Sequence, residues 1–211
     1  MSSNSGSSGR RSFIEEARRA QIVAAAAETV AEVGYARASL ARIAERAGIS
    51  KSVISYHFDG KEDLLAQVAG DFFERTWEQM APRIDAADSA AGKVAAWITS
   101  ELEYFAAHRD RFLAMSEVVM NHRAPDGSRP FAGDEAEEVA GIAEILAAGQ
   151  AAGELREFDV REVAVIVVRC IDGVVGAWVV DEEVDLAALS AGLVDFVLHA
   201  LGAGPVDRGT R

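Results

Sequence analysis

The sequence is poor in the residues that mark disulfide-bonded or β-rich proteins. Among its 211 residues, one is cysteine and four are proline. The single cysteine, Cys170, excludes an internal disulfide framework and suits a reducing compartment. It lies in a run of Val and Ile, which favours a buried apolar side chain over a redox-sensing thiol. Alternating strand patterns and Asn-Gly hairpin signals are absent, so we predict an all-α chain.

The sequence also contains no convincing membrane-spanning or targeting segment. The longest apolar run, residues 163–180, contains Arg169 and Asp172, which makes it a poor membrane span. The N-terminus is polar and lacks a hydrophobic core segment, so we expect no signal peptide, a cytoplasmic location and no membrane partner. We expect a disordered tail over residues 1–12, which begins rich in Ser, Gly and Asn, and a frayed end over residues 203–211.

No pattern typical of an enzyme is present. The sequence has no Walker loop, GxSxG elbow, dinucleotide GxGxxG motif or paired-carboxylate constellation. Its four histidines show no metal-ligand spacing; they are His57, His108, His122 and His199. We therefore expect no catalytic residue, no metal and no cofactor.

The net charge of −13 is unevenly distributed along the chain. Residues 1–61 contain nine basic and six acidic residues, whereas residues 62–211 contain twelve basic and twenty-eight acidic residues. A small basic end on a large acidic body can bind phosphate with one face while the remainder is repelled. Acidic bodies also occur for solubility alone, so the asymmetry supports a nucleic-acid-binding motif without establishing one.

Residues 39–61 read SLARIAERAGISKSVISYHFDGK and have the pattern of two short helices joined by a tight turn. Ser39 is a good N-cap for the first helix, and Gly48 ends it where the backbone must turn left-handed. Ser50 caps a second helix of about Lys51 to His57. The predicted inner face of that helix is Val53 or Ile54, with Phe58. Two helices with this connection are typical of the DNA-binding helix-turn-helix.

The stretch LARIAERAGISKSVISYHFDGKEDLL resembles the N-terminal signature of TetR/AcrR-type bacterial transcriptional regulators, and the likeness covers about residues 16–66. Ser52, Val53 and Ser55 stand where Gly, Thr and Tyr are common in that family. They lie on or beside the second helix, so they bear on the DNA sequence that is read. The matching positions are Ile43-Ala44, Ala47-Gly48-Ile49-Ser50, Tyr56-His57-Phe58 and Lys61-Glu62.

The pattern and the resemblance together imply an N-terminal helix-turn-helix head over residues 13–61 and a ligand-binding and dimerisation domain over residues 62–202. We expect about nine helices, the first of them from Phe13 to Val33. The apolar spacing predicts the six helices of the body at about 61–82, 90–107, 109–121, 134–152, 159–180 and 185–201.

In a helix-turn-helix the second helix lies in the major groove, with its N-terminal residues facing base edges. Lys51 suits a guanine or a phosphate, and Val53, if outward, suits a thymine methyl group. The resemblance implies DNA contacts from Tyr56 and His57 and a phosphate contact from Lys61. Tyr56 packing on the first helix is the alternative, as is a purely capping role for the serines. The predicted DNA-binding set is Ser39, Ser50, Lys51, Ser52, Val53, Ser55, Tyr56, His57 and Lys61.

Four arginines cluster at the start of the first helix: Arg10, Arg11, Arg18 and Arg19. They suit phosphate or minor-groove contact from an N-terminal arm. A solvated face shared with Glu15 and Glu16 is the alternative, which we favour for Arg18 and Arg19.

The last two predicted helices carry more apolar residues than the surface of a monomer needs. The resemblance implies that they pair with their copies in a four-helix dimer interface. Arg169 and Asp172 are three residues apart and can neutralise each other, bridge the dimer or meet an anionic ligand. The candidate interface residues are Gly173, Gly176, Ala177, Leu189, Leu193, Phe196 and Val197.

The predicted fifth helix places Glu101 and His108 inside an apolar stripe. Because buried polar groups must find partners, they suit a pocket that orients a mostly apolar ligand. The alternatives are a hydrogen bond to a neighbouring helix and a solvent-exposed position at the edge of the stripe. Ordinary core packing is likewise the alternative for the apolar candidates. The candidate pocket set is Phe72, Phe73, Trp77, Trp97, Glu101, Tyr104, Phe105, His108, Met115, Val119, Ile142, Leu146, Arg169 and Asp172.

We therefore expect a ligand-responsive transcriptional regulator, a repressor that binds a palindromic double-stranded operator as a homodimer. A small, mostly apolar effector would release it by binding the other conformation better. One alternative is a helical small-molecule-binding protein or enzyme with a non-functional DNA head. Another is an architectural DNA-binding protein without an effector.

Overall fold

The structure is a computed structural model that describes residues 5–124, 126–128, 130–132, 134–181 and 183–202, with side chains from residue 14 onward except 132, 134 and 135. The predicted tails at residues 1–4 and 203–211 lie outside these ranges. Within the described ranges the chain is all-α, as predicted, with a single 3-10 turn at Pro130–Ala132. Its helices are α1 Ser5–Val33, α2 Leu40–Ala47, α3 Lys51–His57, α4 Lys61–Asp85, α5 Ala90–Ala107, α6 Arg109–Asn121, α7 Asp134–Ala151, α8 Val160–Val180 and α9 Leu186–Ala200.

Two helices extend further than the sequence predicts. The backbone of residues 5–12 continues α1, where a disordered tail is predicted, because adding residues to an existing helix is easier than starting one. Helix α4 passes Pro82 and ends at Asp85. A proline removes one intrahelical hydrogen bond, but the last turn still forms, with Ala86 N donating to Pro82 O at 3.1 Å.

The chain forms two compact units. The first comprises residues 1–74 and 109–130, and the second comprises residues 75–108 and 131–211. The first unit is larger than the predicted head of residues 13–61, since it also contains the first part of α4 and the whole of α6. Helix α4 contributes to both units.

In the first unit, α1 packs against α2 and α6. Apolar residues at helical spacing supply its core, and burying each of them contributes about 1.5–3 kcal/mol. The most deeply buried side chains are Ile22, Val30, Ile43, Ile54, Leu64, Leu65 and Val118.

In the second unit, α5 packs against α7 and α9, and α8 packs against α7 and α9. Two glycines permit the close approach of α7. A Cβ atom at Gly141 would lie 2.7 Å from the Trp97 ring, and one at Gly149 would lie 2.5 Å from the Ala90 Cβ. The core of this unit therefore depends on the absence of side chains at two positions of α7.

Candidate nucleic-acid interface and ligand site

The turn between α2 and α3 has the predicted geometry. The Ser39 hydroxyl caps α2 by accepting a hydrogen bond from Arg42 N at 3.3 Å. Gly48 adopts a left-handed conformation with φ 65°, and Ile49 N donates to Ala44 O at 3.0 Å. Both ends of α2 are thus closed by local hydrogen bonds.

Ser50 departs from its predicted role. It occupies the N-cap position of α3, but its side chain makes no capping hydrogen bond. The hydroxyl instead lies 2.8 Å from the Ser52 hydroxyl. The Ser50 hydroxyl therefore does not cap α3, although Val53 N donates to Ser50 O at 3.0 Å.

Helix α3 has one buried and one exposed face. Ile54 and Phe58 are buried, which resolves the predicted choice of inner residue in favour of Ile54. Tyr56 is 75% exposed, so its ring does not pack into the unit as the alternative proposed. Val53 and His57 are half-buried, and the Tyr56 and His57 rings meet edge to face at 4.9 Å. The other exposed side chains of α3 are Lys51, Ser52 and Ser55.

Helix α1 holds α3 through Arg19. The Arg19 Nη1 atom donates to His57 O at 2.5 Å, and the guanidinium lies 4.3 Å from the centre of the Phe58 ring. The sequence interpretation of Arg19 as a solvated residue was wrong. The sequence does contain a signal that Arg19 faces inward: it lies one turn before Ile22 and Val23, on the same face of α1.

The remaining arginines of the cluster do not share this role. Arg18 donates to Gln21 at 2.7 Å on the surface, as expected for a solvated face. The side chains of Arg10 and Arg11 lie outside the described residues. A further brace that the sequence did not reveal is Arg46, which pairs with Glu28 at 3.4 Å and with Glu32.

Lys61 is held inside the first unit. Its Nζ atom donates to Tyr35 O at 2.7 Å and to Ala36 O at 3.4 Å, and it lies 4.8 Å from the centre of the Tyr35 ring. These contacts explain a cation at a helix N-terminus, where the helix dipole disfavours it, without any phosphate. An ammonium has three N–H donors, so one remains for the predicted phosphate contact.

Lys61 belongs to a group of four residues that we call the Tyr35 cluster: Tyr35, Lys61, Glu117 and His122. The Glu117 carboxylate accepts from Tyr35 N at 3.3 Å, and the Tyr35 hydroxyl lies 3.3 Å from His122 Nδ1. Burial raises the pKa of Tyr35, Glu62 raises it further, and Arg123 opposes the rise. The cluster joins the α1–α2 connection to the start of α4 and the end of α6.

In the second unit, Glu101 is a buried acid, with 9% of its surface exposed. Burial raises its pKa well above the ordinary value, and the charges of Glu138 and Asp172 raise it further, while the nearby indole of Trp97 opposes the rise. Neither Glu101 Oε2 nor Trp97 Nε1 has a hydrogen-bond partner of ordinary geometry among the described residues. Oε2 thus makes no hydrogen bond of ordinary geometry to a neighbouring described helix, and the burial of Glu101 does not fit a solvent-exposed position at the edge of the stripe.

The other pocket candidates divide between the two units. Phe72, Phe73, Met115 and Val119 belong to the first unit, where Phe72 packs 6.0 Å from Phe112, ring centre to ring centre. In the second unit, Ile142 and Leu146 are fully buried core residues, and Tyr104 and Phe105 are also buried. His108 is the half-buried C-cap of α5, 4.4 Å from the Tyr104 ring.

Three candidates in the second unit reach the surface. Trp77 is 51% exposed, and its ring centre lies 5.6 Å from that of Trp97. The predicted neutralisation of Arg169 by Asp172 is confirmed, with the charged atoms 2.7 Å apart and both side chains about half exposed.

The candidate interface residues on α8 and α9 also separate into two groups. Leu189 and Phe196 are exposed, and a Cβ atom at Gly173 or Gly176 would meet nothing within 4 Å. Ala177 is exposed beside them. Leu193 and Val197 instead pack inside the second unit, because they lie on the face of α9 turned toward its neighbours. Among the described helices, α8 is long and apolar enough to cross a membrane. Of its most apolar 18-residue stretch, 33% is buried within the structure.

Comparison with known proteins places this geometry in a family. Residues 22–68 match the family model described as bacterial regulatory proteins, tetR family. The fatty acid metabolism regulator protein of Bacillus subtilis is 28% identical over 86% of this chain and 94% of its own length. A BetI regulator of Chromohalobacter salexigens is 52% identical, over 23% of this chain and 24% of its own length.

Solved structures agree with the fold. The transcriptional regulator FadR from Bacillus subtilis, solved in complex with stearoyl-CoA, matches with a TM-score of 0.74 and 26% identity, over 84% of this chain and 96% of that one. FadR from Bacillus halodurans matches with a TM-score of 0.76 and 23% identity, over 86% and 94%. With its helix-turn-helix held on α1, the chain carries the DNA-binding domain of the TetR family of bacterial regulatory proteins and is a DNA-binding transcriptional regulator.

Proposed function

We propose that the chain represses transcription by binding a palindromic operator as a homodimer, and that a small, mostly apolar effector releases it. The observation that carries the DNA-binding part is the face of α3. It presents exposed polar and aromatic side chains, and Arg19 fixes its position from behind. A rigid helix with an uncovered polar face suits insertion into the major groove.

The contacts to DNA follow from that face. Lys51, Ser52, Ser55 and Tyr56 are exposed and would read base edges or bind phosphate, with the half-buried Val53 and His57 at the margin. Ser39 and Ser50 bring helix N-termini to the backbone phosphates. Lys61 would contribute its remaining N–H to a phosphate.

A second copy of the chain would cover the exposed apolar face of α8 and α9. Ile166, Val180 and Phe196 are 57%, 87% and 62% exposed, and the glycines between them leave room for a partner helix. Large exposed apolar side chains on neighbouring helices are typical of an interaction surface. A homodimer would also supply the two reading helices that a palindromic operator requires.

The effector would bind in the second unit and act through α4. This helix belongs to both units, so a ligand that favours one arrangement of α4 would change operator affinity. The stearoyl-CoA complex of the Bacillus subtilis relative makes long-chain acyl compounds the first class to screen. We place the protein in the cytoplasm, where operator and metabolites are both accessible.

The test is selection of bound DNA from a random pool, followed by gel shifts on the recovered operator. We expect two inverted half-sites, and we expect Lys51→Ala with Tyr56→Ala to lower affinity at least tenfold, about 1.4 kcal/mol. Lys93→Ala, which removes a lysine from the second unit, is the matched control and should bind normally. Wild-type affinity in the double variant, or no salt-dependent binding by the native chain, would refute the proposal.

A further inference from the structure

Helix α5 carries two buried polar atoms that have no hydrogen-bond partner of ordinary geometry among the described residues. They are Glu101 Oε2 and Trp97 Nε1, on side chains that are 9% and 5% exposed. The two residues are four apart, so they lie one above the other on the same face of the helix. Leaving Glu101 Oε2 without a partner costs about 1–3 kcal/mol, which points to a donor group of a ligand as its missing partner. The Trp97 N–H group instead needs an acceptor, and the nearby Glu101 carboxyl is the group that it acts on.

The charge around this position is negative. Glu138 of α7 and Asp172 of α8 both act on the Glu101 carboxyl and disfavour a further negative charge there. Arg169 lies three positions before Asp172, and its guanidinium pairs with the Asp172 carboxylate at 2.7 Å. Because Arg169 offsets the charge of Asp172, it is mainly Glu138 that would repel a carboxylate or phosphate at Glu101 and attract a cation.

Aromatic side chains extend from this position toward the surface. The Trp97 ring covers the backbone of α7 at Gly141, where an added Cβ would lie 2.7 Å away. The ring of Trp77 lies next to that of Trp97, and Trp77 is half exposed. Indole rings suit the apolar part of a ligand and also attract cations to their faces.

We propose that the effector is an apolar amine whose ammonium group donates to the Glu101 carboxylate, with the Trp97 indole beside it. Binding of the amine displaces the proton that burial favours on Glu101. This inference rests on the proposed function, because it assigns the chemical class of the effector. The proposed amine differs from an acyl-CoA in the group that meets the Glu101 carboxyl, which must be a positively charged hydrogen-bond donor. Specificity for the amine would come from the acid on α5 and, of its two acidic neighbours, mainly from Glu138 on α7.

The experiment compares three probes of equal chain length with different head groups: decylamine, 1-decanol and decanoate. Each is titrated calorimetrically into the full-length protein without DNA, so the result does not depend on operator release. We expect decylamine to bind at least tenfold more tightly than decanoate. Glu101→Gln should reduce that preference at least tenfold, while Trp97→Phe, which removes only the N–H group and part of the ring, should weaken decylamine less.

Operator binding separates failure of this inference from failure of the proposed function. Operator binding by the native chain, measured without any probe, tests the proposed function by itself, and a cooperative thermal unfolding transition shows that Glu101→Gln is folded. Decanoate or stearoyl-CoA binding as tightly as decylamine, or an unchanged preference in Glu101→Gln, overturns the amine assignment. So does an absence of decylamine binding. If decylamine binds as expected but never changes operator affinity, the effector mechanism fails and the site remains.

Discussion

At the scale of single residues, the environment of Glu101 has a consequence for stability. Its carboxyl is buried beside two other acids, so the protonated form is favoured in the folded chain. The unfolded chain instead ionises near the ordinary pKa of 4.5. Below the unfolded pKa, the carboxyl is protonated in both the folded and the unfolded chain, so its burial does not reduce stability. As pH rises from there to the folded pKa, stability is progressively lost.

Replacing Glu101 by Gln should therefore stabilise the protein at neutral pH and much less in acid. The gain at neutral pH is about 1.4 kcal/mol for each unit by which the folded pKa exceeds the unfolded one. Urea unfolding of wild type and variant at about pH 5 and about pH 8 measures it. Glu103→Gln on the exposed face of α5 is the matched control. A variant with the same advantage at both pH values would contradict the assignment of Glu101.

At the scale of secondary-structure elements, the packing of α5 against α7 depends on glycine. The Gly149 position faces Ala90 and Leu155, and a Cβ there would lie 2.5 Å and 2.7 Å from their side chains. Such distances are far below van der Waals contact, so the helices would have to separate. The small residues of α7 therefore determine how closely the second unit closes.

Gly149→Ala should lower the free energy of unfolding by about 1–3 kcal/mol through overpacking. Gly192→Ala on α9 is the control, because its Cβ would meet nothing within 4 Å. There the better helix propensity of alanine should raise stability by up to about 1 kcal/mol. Chemical unfolding of both variants distinguishes the two cases. Equal stability of the two variants would show that α7 moves away at no cost.

At the scale of the whole molecule, the proposed function uses two copies of the chain acting together. The apolar face of α8 and α9 is proposed to join them, and Phe196 is the largest exposed side chain on it. Burying a charged residue at its position in a dimer carries a penalty of several kcal/mol.

Phe196→Asp should therefore convert the dimer to a monomer and weaken operator binding more than tenfold. Sedimentation velocity and gel shifts measure the two effects. Met120→Asp, at a residue that is 68% exposed on α6, is the matched control and should remain dimeric. A Phe196→Asp variant that still sediments as a dimer would place the interface elsewhere.

The helices and the DNA-reading motif were predictable from local sequence, because they depend on contacts a few residues apart. Apolar spacing placed most helix ends of the body within one residue, and Ser39 and Gly48 marked the ends of α2. Exposure of Tyr56 was not determined in the same way, since it depends on whether another element covers the ring.

Roles that depend on residues distant in sequence became visible only in the folded chain. Arg19 meets His57, and Lys61 meets Tyr35, through contacts that local periodicity does not encode. Glu101 was recognisable as a polar residue in an apolar stripe, but its lack of a partner on Oε2 followed only from the packing of its neighbours. Leu193 and Phe196 read alike as apolar residues of α9, and packing alone made one core and the other surface. Local hydrogen bonds and side-chain spacing thus specify the elements, while burial and pairing arise only when the elements pack.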